Sequence, residues 1–346
     1  MKNRKTHALG LISGGLDSGL AAALLMKQGI EVTGVNFNTG FCTLDHRRQM
    51  GKGSKDKLEN PALKVEKKHL FPVELVDIRA EFLKMAANPR YGYGKNANPC
   101  IDCRIMMLIR AKEMMDEVGA DFIFTGEVLG QRPMSQMRNT LELIERHSGL
   151  EGYLLRPLSA KLLPPTIPEE KGLVDRSELL GFQGRTRKPQ IALATELGIE
   201  DYPSPAGGCC FLTDPGYAKK FFDLLEHRDK RNIDLQDFTL LKVGRHLRVK
   251  DDLKVIVGRD QQENNFLQRY SPRFTTLEVV DAPGPVALME GTDIMENRRI
   301  AAAITARYSD APKDRIAKVR VFNNSGESVV EVMPVGSDKT NEWLIK

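Results

Sequence analysis

Ser13-Gly14-Gly15-Leu16-Asp17-Ser18 joins a short apolar run, Thr6–Ile12, to an Ala- and Leu-rich run, Leu16–Gln28. The first run has the length and composition of a buried strand. The second reads as a helix ended by Gly29. Glycines at such a junction let the backbone approach an anion closely and turn with freedom in φ. Amides at the helix N-terminus point at that anion, and the helix dipole favours it. The hydroxyls of Ser13 and Ser18 can donate to phosphate oxygens. Asp17 is badly placed to bind phosphate directly, and suits a Mg²⁺ ion on a pyrophosphate group. No Gly-Lys-Ser/Thr follows, so this is not a Walker A loop.

Outward from the loop, strands and helices alternate. Strands are expected at Glu31–Phe37, His69–Asp77 and Asp121–Thr125, with a further one at Tyr153–Leu155. Helices are expected at Ile78–Ala87, Cys100–Val118 and Lys188–Leu197. That order predicts a parallel sheet with helices on both faces and a ligand beyond the carboxyl ends of its strands. Residues 156–187 are rich in proline and mixed charge and read as a lid, and 203–214 as a Pro/Gly/Cys loop. After a helix at Pro215–His227 come strand-like runs at Phe238–Val243, Leu253–Val257 and Thr276–Val280. A helix at Thr292–Ala306 and strands at Lys318–Phe322 and Val329–Pro334 complete the chain. Two domains are expected, 1–225 and a smaller α+β domain over 226–346.

Composition narrows the class. The chain has 346 residues, 41% hydrophobic and 28% charged, which fits a folded protein and argues against wholesale disorder. No run of about 18 apolar residues occurs, which argues against a membrane span. The N-terminal residues do not read as a secretory signal. Five cysteines, an odd number, fit a reducing cytoplasmic compartment with thiols used for chemistry or metal binding. The formal charge is +5, and residues 47–68 alone hold eight Lys/Arg against three Asp/Glu. That stretch reads as an exposed loop, either solvated or touching a polyanion.

The SGG-x-DS loop resembles the PP-loop ATP pyrophosphatase superfamily, whose members cleave ATP to AMP and pyrophosphate while adenylating an acceptor oxygen. The resemblance implies an α/β core of the adenine nucleotide alpha hydrolase type. It also implies an adenine site beside Val35–Phe37, including Phe37, and at Thr125-Gly126.

The cysteines choose among the members. Cys100 and Cys103 lie in Asn98-Pro-Cys-Ile-Asp-Cys-Arg104. Pro99 fits a helix start, which puts both thiols on one face of the first turn and predicts lowered thiol pKa values. Cys209 and Cys210 follow two glycines, and Cys42 stands alone after the second strand. Taken by itself, a C-x-x-C pair is compatible with zinc, with a redox couple or with inert burial. Together with the phosphate loop, Asn-Pro-x-x-x-Cys and Gly-x-Cys-Phe resemble the tRNA 2-thiouridylase family. Matching those motifs makes Cys103 and Cys210 the two essential cysteines, with Asp17 the third catalytic residue. Many family members have Asp where this chain has Cys100. Cys100, Cys103 and Cys210 would then be the three ligands of a 4Fe–4S cluster, as in cluster-dependent tRNA thiolases.

In the C-terminal region, His246-Leu-Arg248 and Leu253-Lys-Val-Ile-Val-Gly-Arg259 resemble the NFACT-R RNA-binding domain. The resemblance makes His246, Arg248 and Arg259 candidate phosphate contacts. Residues 226–346 carry 20 Lys/Arg against 19 Asp/Glu, so any RNA contact there must be local. Arg156, Arg185, Arg187 and Lys188 beside the lid are further phosphate candidates. The implied activity is ATP-dependent tRNA thiolation with ATP and Mg²⁺. Its sulfur comes from sulfide or a persulfide carrier, and a homodimer is compatible with it. The alternative is a PP-loop sulfurtransferase or amide-forming ligase acting on a small molecule.

Overall fold

The computed structural model describes residues 4–42, 60, 62–63, 71–199, 202 and 210–346. Most of the basic stretch 47–68, and Cys209 with most of its loop, lie outside the described residues. The chain divides into two compact units, the first running to Cys210 and the second from Phe211.

The first unit holds strands β1 (His7–Leu11), β2 (Glu31–Asn38), β3 (Val73–Asp77), β4 (Phe122–Thr125) and β5 (Leu154–Leu155). They form one parallel sheet in the order β3-β2-β1-β4-β5. The expected α/β class therefore holds. Its helices are α1 (Leu16–Lys27), α2 (Arg79–Ala87), α3 (Cys100–Val118), α4 (Arg138–Ser148), the single turn α5 (Ile167–Glu170) and α6 (Lys188–Glu196).

Period-two alternation along β1 divides the core. Ala8 and Ile12 join Leu20, Leu24 and Ala194 under α1 and α6. Leu9 and Leu11 join Leu108, Met114 and Ile144 under α3 and α4. Gly10 is required here, because a Cβ on it would lie 2.2 Å from the Phe124 ring on the neighbouring strand. Strand order reverses at β1, with β2 on one side and β4 on the other. In open α/β sheets that reversal opens a crevice at the carboxyl ends, and the SGGLDS loop stands there.

The second unit is an antiparallel six-stranded sheet in the order β11-β10-β8-β9-β7-β6. The strands are β6 (Arg245–Lys250), β7 (Leu253–Val257), β8 (Thr275–Val279), β9 (Ala287–Gly291), β10 (Ala317–Asn323) and β11 (Gly326–Val332). Helices α7 (Pro215–His227), α8 (Leu235–Leu240), α9 (Gln261–Gln268), α10 (Met295–Arg307) and α11 (Ser337–Trp343) complete it. Ala301, Ala302 and Ile304 of α10 pack with Leu247, Val255 and Val319.

Two expectations change here. The strand-like run Phe238–Val243 is instead the last three residues of α8 and the turn that follows it. Asp234 caps α8 by accepting from the amides of Gln236 and Asp237, and Asp237 returns the bond to the Asp234 amide. The domain boundary also moves from 225 to 210. Helix α7 belongs to the second unit, through Phe221 against Phe238 at 5.4 Å and Asp223 against Arg248 and Lys254 at 2.8 and 2.7 Å. Among the described residues no helix is long and apolar enough to cross a membrane.

Candidate functional site

The phosphate loop has the backbone that its glycines predict. Gly14 takes φ +76, in the left-handed region. Gly15 caps α1 with no side-chain hydrogen bond, which leaves the first amides of the helix for a ligand. The Ser18 hydroxyl donates to the Gly15 carbonyl at 3.0 Å and lies 3.3 Å from Ser13 Oγ. Gly126, after β4, is pressed onto this turn. A Cβ there would lie 2.4 Å from the Ser18 amide nitrogen and 2.6 Å from the Asp17 carbonyl oxygen.

Asp17 is the hub. Its Oδ2 accepts from Gln131 Nε2 and from Arg187 Nη2, both at 2.9 Å. Gln190 in turn donates to Gln131 Oε1 at 3.2 Å. Asp17 Oδ1, Arg187 Nε and Gln190 Oε1 are buried with no hydrogen-bond partner. Buried polar atoms normally have one, which makes these three candidate positions for a ligand. An unpartnered carboxylate oxygen facing a phosphate loop fits a Mg²⁺ ion. Arg187 was expected among the phosphate candidates. Gln131 and Gln190 were not, because neither carries a charge or a motif that marks it.

The sequence reading also missed Glu127. Its side chain is 2% exposed and meets Arg156 Nε at 3.2 Å and Arg104 Nε at 3.3 Å. Burial alone would raise its pKa. Arg104 and Arg156 outweigh that and hold the carboxyl below its ordinary value. Thr125 donates its hydroxyl to Glu127 at 3.2 Å, so that side chain is committed inside the protein. Arg156 also pairs with Glu145 at 2.9 Å and is 3% exposed, so its guanidinium is held inside the protein. The only signal in the sequence was an acidic residue directly after Thr125-Gly126.

Phe37 is partly buried against the cluster of Leu9, Val35 and Ile123, at the carboxyl end of β2.

Helix α3 begins at Cys100 after Pro99, and the Cys103 amide donates to the Pro99 carbonyl at 2.9 Å. Asp102 is buried and accepts from the amides of Arg90 and Tyr91 at 2.9 and 3.0 Å. Arg104 reaches Glu127. The turn bearing both thiols is thus pinned from two sides. Burial pushes the Cys100 thiol up, with Arg104 and Arg132 opposing. The lowering expected from the helix N-terminus does not win at that residue.

Cys210 lies directly opposite Cys42 in an isolated antiparallel bridge. Among the described residues no group of three His, Cys, Asp or Glu is arranged to hold a metal. The expected trio of Cys100, Cys103 and Cys210 is therefore not assembled as a ligand set among them.

In the second unit the three RNA candidates are otherwise engaged. His246 is fully buried, with Nε2 2.9 Å from the Val243 carbonyl. Burial first, then Lys220 and Lys254, holds its pKa well below the ordinary value, so it is a neutral core residue. Arg248 makes a two-pronged pair with Asp223 at 2.8 and 2.9 Å. Arg259 is about half exposed, and its guanidinium is clasped by Glu263. His246 cannot reach a phosphate, and the two arginines would have to exchange partners to do so.

Residues 4–161 match the family described as Thiamine biosynthesis protein (ThiI), and residues 244–344 match the NFACT protein RNA binding domain. A tRNA-specific 2-thiouridylase MnmA of Syntrophotalea carbinolica is 35% identical over 130 residues, 36% of each chain. That of Cytophaga hutchinsonii is 35% identical over 232 residues, 62% of this chain and 57% of the relative. A probable tRNA sulfurtransferase of Thermococcus kodakarensis is 31% identical over 149 residues, 43% of this chain and 35% of the relative. The chain spans 57% or less of the length of these relatives. The similarity to the ThiI family thus falls within the first unit, and that to the NFACT protein RNA binding domain within the second.

Proposed function

We propose that this protein is an ATP-dependent tRNA sulfurtransferase. One observation carries the reading. Asp17 keeps a buried carboxylate oxygen unpartnered on the phosphate loop, at the same sheet end as the cysteine-bearing turns. ATP would lie with its phosphates on the amides of α1 and its adenine beside Phe37 and Gly126. Asp17 Oδ1 would hold Mg²⁺, which neutralises charge on the leaving pyrophosphate. The carbonyl oxygen of a uracil or cytosine base, turned out of its stack, attacks the α-phosphorus. Pyrophosphate leaves, and adenylation makes that oxygen a good leaving group. Sulfur then bonds to the same carbon and AMP departs. A tRNA substrate and reduced thiols set the reaction in the cytoplasm.

The sulfur is carried as a persulfide on Cys210 or Cys103 in this reading. A 4Fe–4S cluster would need three thiols gathered, and the described residues do not gather them, so no step is routed through one. Anaerobically purified protein that is colourless, iron-free and still active supports the persulfide route. Visible absorption with stoichiometric iron, lost in Cys100→Ser, would reinstate the cluster.

The test of the whole reading is purified chain with tRNA, ATP, Mg²⁺ and a persulfide donor. Mass spectrometry of digested tRNA should show a thionucleoside, with AMP and pyrophosphate released in equal amounts, and Asp17→Asn should abolish both. Pyrophosphate release stimulated by a metabolite and indifferent to tRNA would move the acceptor to a small molecule.

A further inference from the structure

Cys42 looks like a bystander in the sequence and does not look like one in the fold. Strand β2 ends at Asn38, whose side chain accepts from the Gly40 amide at 2.9 Å while Gly40 takes φ +78. Phe41 then drops into the core, 1% exposed, with its ring 5.3 Å from that of Phe82. This turn fixes Cys42 at the carboxyl end of the parallel sheet, beside the crevice that holds the phosphate loop. Cys210 pairs with it, residue directly opposite residue, in an antiparallel bridge. Residues so opposed have Cα atoms roughly 4.5–5.5 Å apart. A disulfide needs Cα atoms about 4.4–6.8 Å apart, so the backbone already holds these two positions at bonding range. Both residues are half-buried rather than sealed in the core.

We propose that Cys42 is the resolving thiol of Cys210. The proposal rests on the thiolation reading above. In the step, the terminal sulfur of a Cys210 persulfide bonds to the adenylated carbon, and AMP leaves with the carbon–oxygen bonding pair. The base is then joined to Cys210 through a disulfide. Cys42, its proton lost to solvent, attacks Cys210 Sγ. The bond between Sγ and the transferred sulfur breaks, and its electron pair stays with the transferred sulfur as the product thiocarbonyl. Counted over both steps from the sulfane sulfur of the persulfide, the transferred sulfur gains two electrons, and Cys42 and Cys210 together lose two in forming their disulfide. A dithiol reductant restores them for the next cycle. Cys42 thus acts on the covalent intermediate itself, with a register already set for it.

The full chain, in a Cys209→Ser background so that the neighbouring thiol does not blur the assignment, is oxidised with diamide under native conditions. It is then alkylated and mapped by mass spectrometry. The Cys42–Cys210 link should be the dominant one at Cys210, and Cys42→Ser should remove it. A link from Cys210 to Cys100 or Cys103, with none at Cys42, overturns the proposal. In the complete reaction Cys42→Ser should accumulate a tRNA–protein adduct that survives a denaturing gel and is cleaved by dithiothreitol. Turnover at the wild-type rate without that adduct overturns the resolving role. The mapping needs no tRNA. A Cys42–Cys210 link in a chain that thiolates no tRNA supports the pair and overturns the thiolase reading instead.

Discussion

Gly126 is a residue whose side chain is missing for a reason that lies across the sheet. Its Cα faces the backbone of Asp17 and Ser18 so closely that a methyl group would have to move the phosphate loop. Backbone yields less readily than a flexible side chain, and overpacking of this kind costs roughly 1–3 kcal/mol. Gly126→Ala should therefore lower stability by about that amount and weaken ATP binding by on the order of tenfold. Calorimetric titration with ATP beside a thermal melt checks both. Wild-type ATP affinity in the variant would show that the contact does not shape the loop. At the same scale, Asp17 shows how a motif residue gains meaning from partners outside its motif. Gln131 and Arg187 hold one oxygen, and the other is buried without a partner.

Helix α3 and strand β4 are joined by a buried charge. Arg104 stands one residue after Cys103, and Glu127 stands two after the end of β4, so their pairing ties the cysteine turn to the turn after β4. Arg156 shares Glu127, and breaking such a buried pair by removing one partner costs roughly 3–5 kcal/mol. Glu127→Gln should lose on that order and loosen the cysteine turn. The pH dependence has a definite sign. The Glu127 carboxyl is held below its ordinary value in the folded protein. Its contribution is therefore present above the unfolded pKa of about 4.3 and lost as pH falls through the folded value. Urea midpoints between pH 3 and 7 should fall more steeply toward acid in wild type than in Glu127→Gln. Parallel curves would assign the acid loss to other carboxylates.

Across the whole molecule, the division after Cys210 decides which pieces can stand alone. Lys254 is 1% exposed, and its ammonium meets Asp223 of α7 at 2.7 Å. A fragment beginning at 226 leaves that ammonium and Arg248 without their carboxylate, and strips Phe221 from Phe238. An uncompensated buried charge is among the costliest defects a core can carry. Residues 211–346 should give a cooperative melt by circular dichroism, and residues 226–346 should be unfolded or insoluble. Equal melts for both would show that α7 is dispensable to the second unit. His246 belongs to the same core rather than to a surface.

What could be read from the sequence was local. The SGGLDS loop, the helix that starts at Cys100 and the alternation that makes a parallel sheet depend on residues within a few positions of one another. Backbone sterics, helix-end amides and side-chain periodicity act over that range. The run Phe238–Val243 misled because its apolar residues suit either a strand or a helix, and the Asp234–Asp237 capping box decided it. The partners of Asp17, the burial of Glu127 and His246, and the place of α7 were settled by segments distant in sequence. Charge pairing and burial have no period to read along the chain. The same holds for Cys42 and Cys210, 168 positions apart in the sequence. Each thiol was visible by itself, and only the folded register sets one opposite the other.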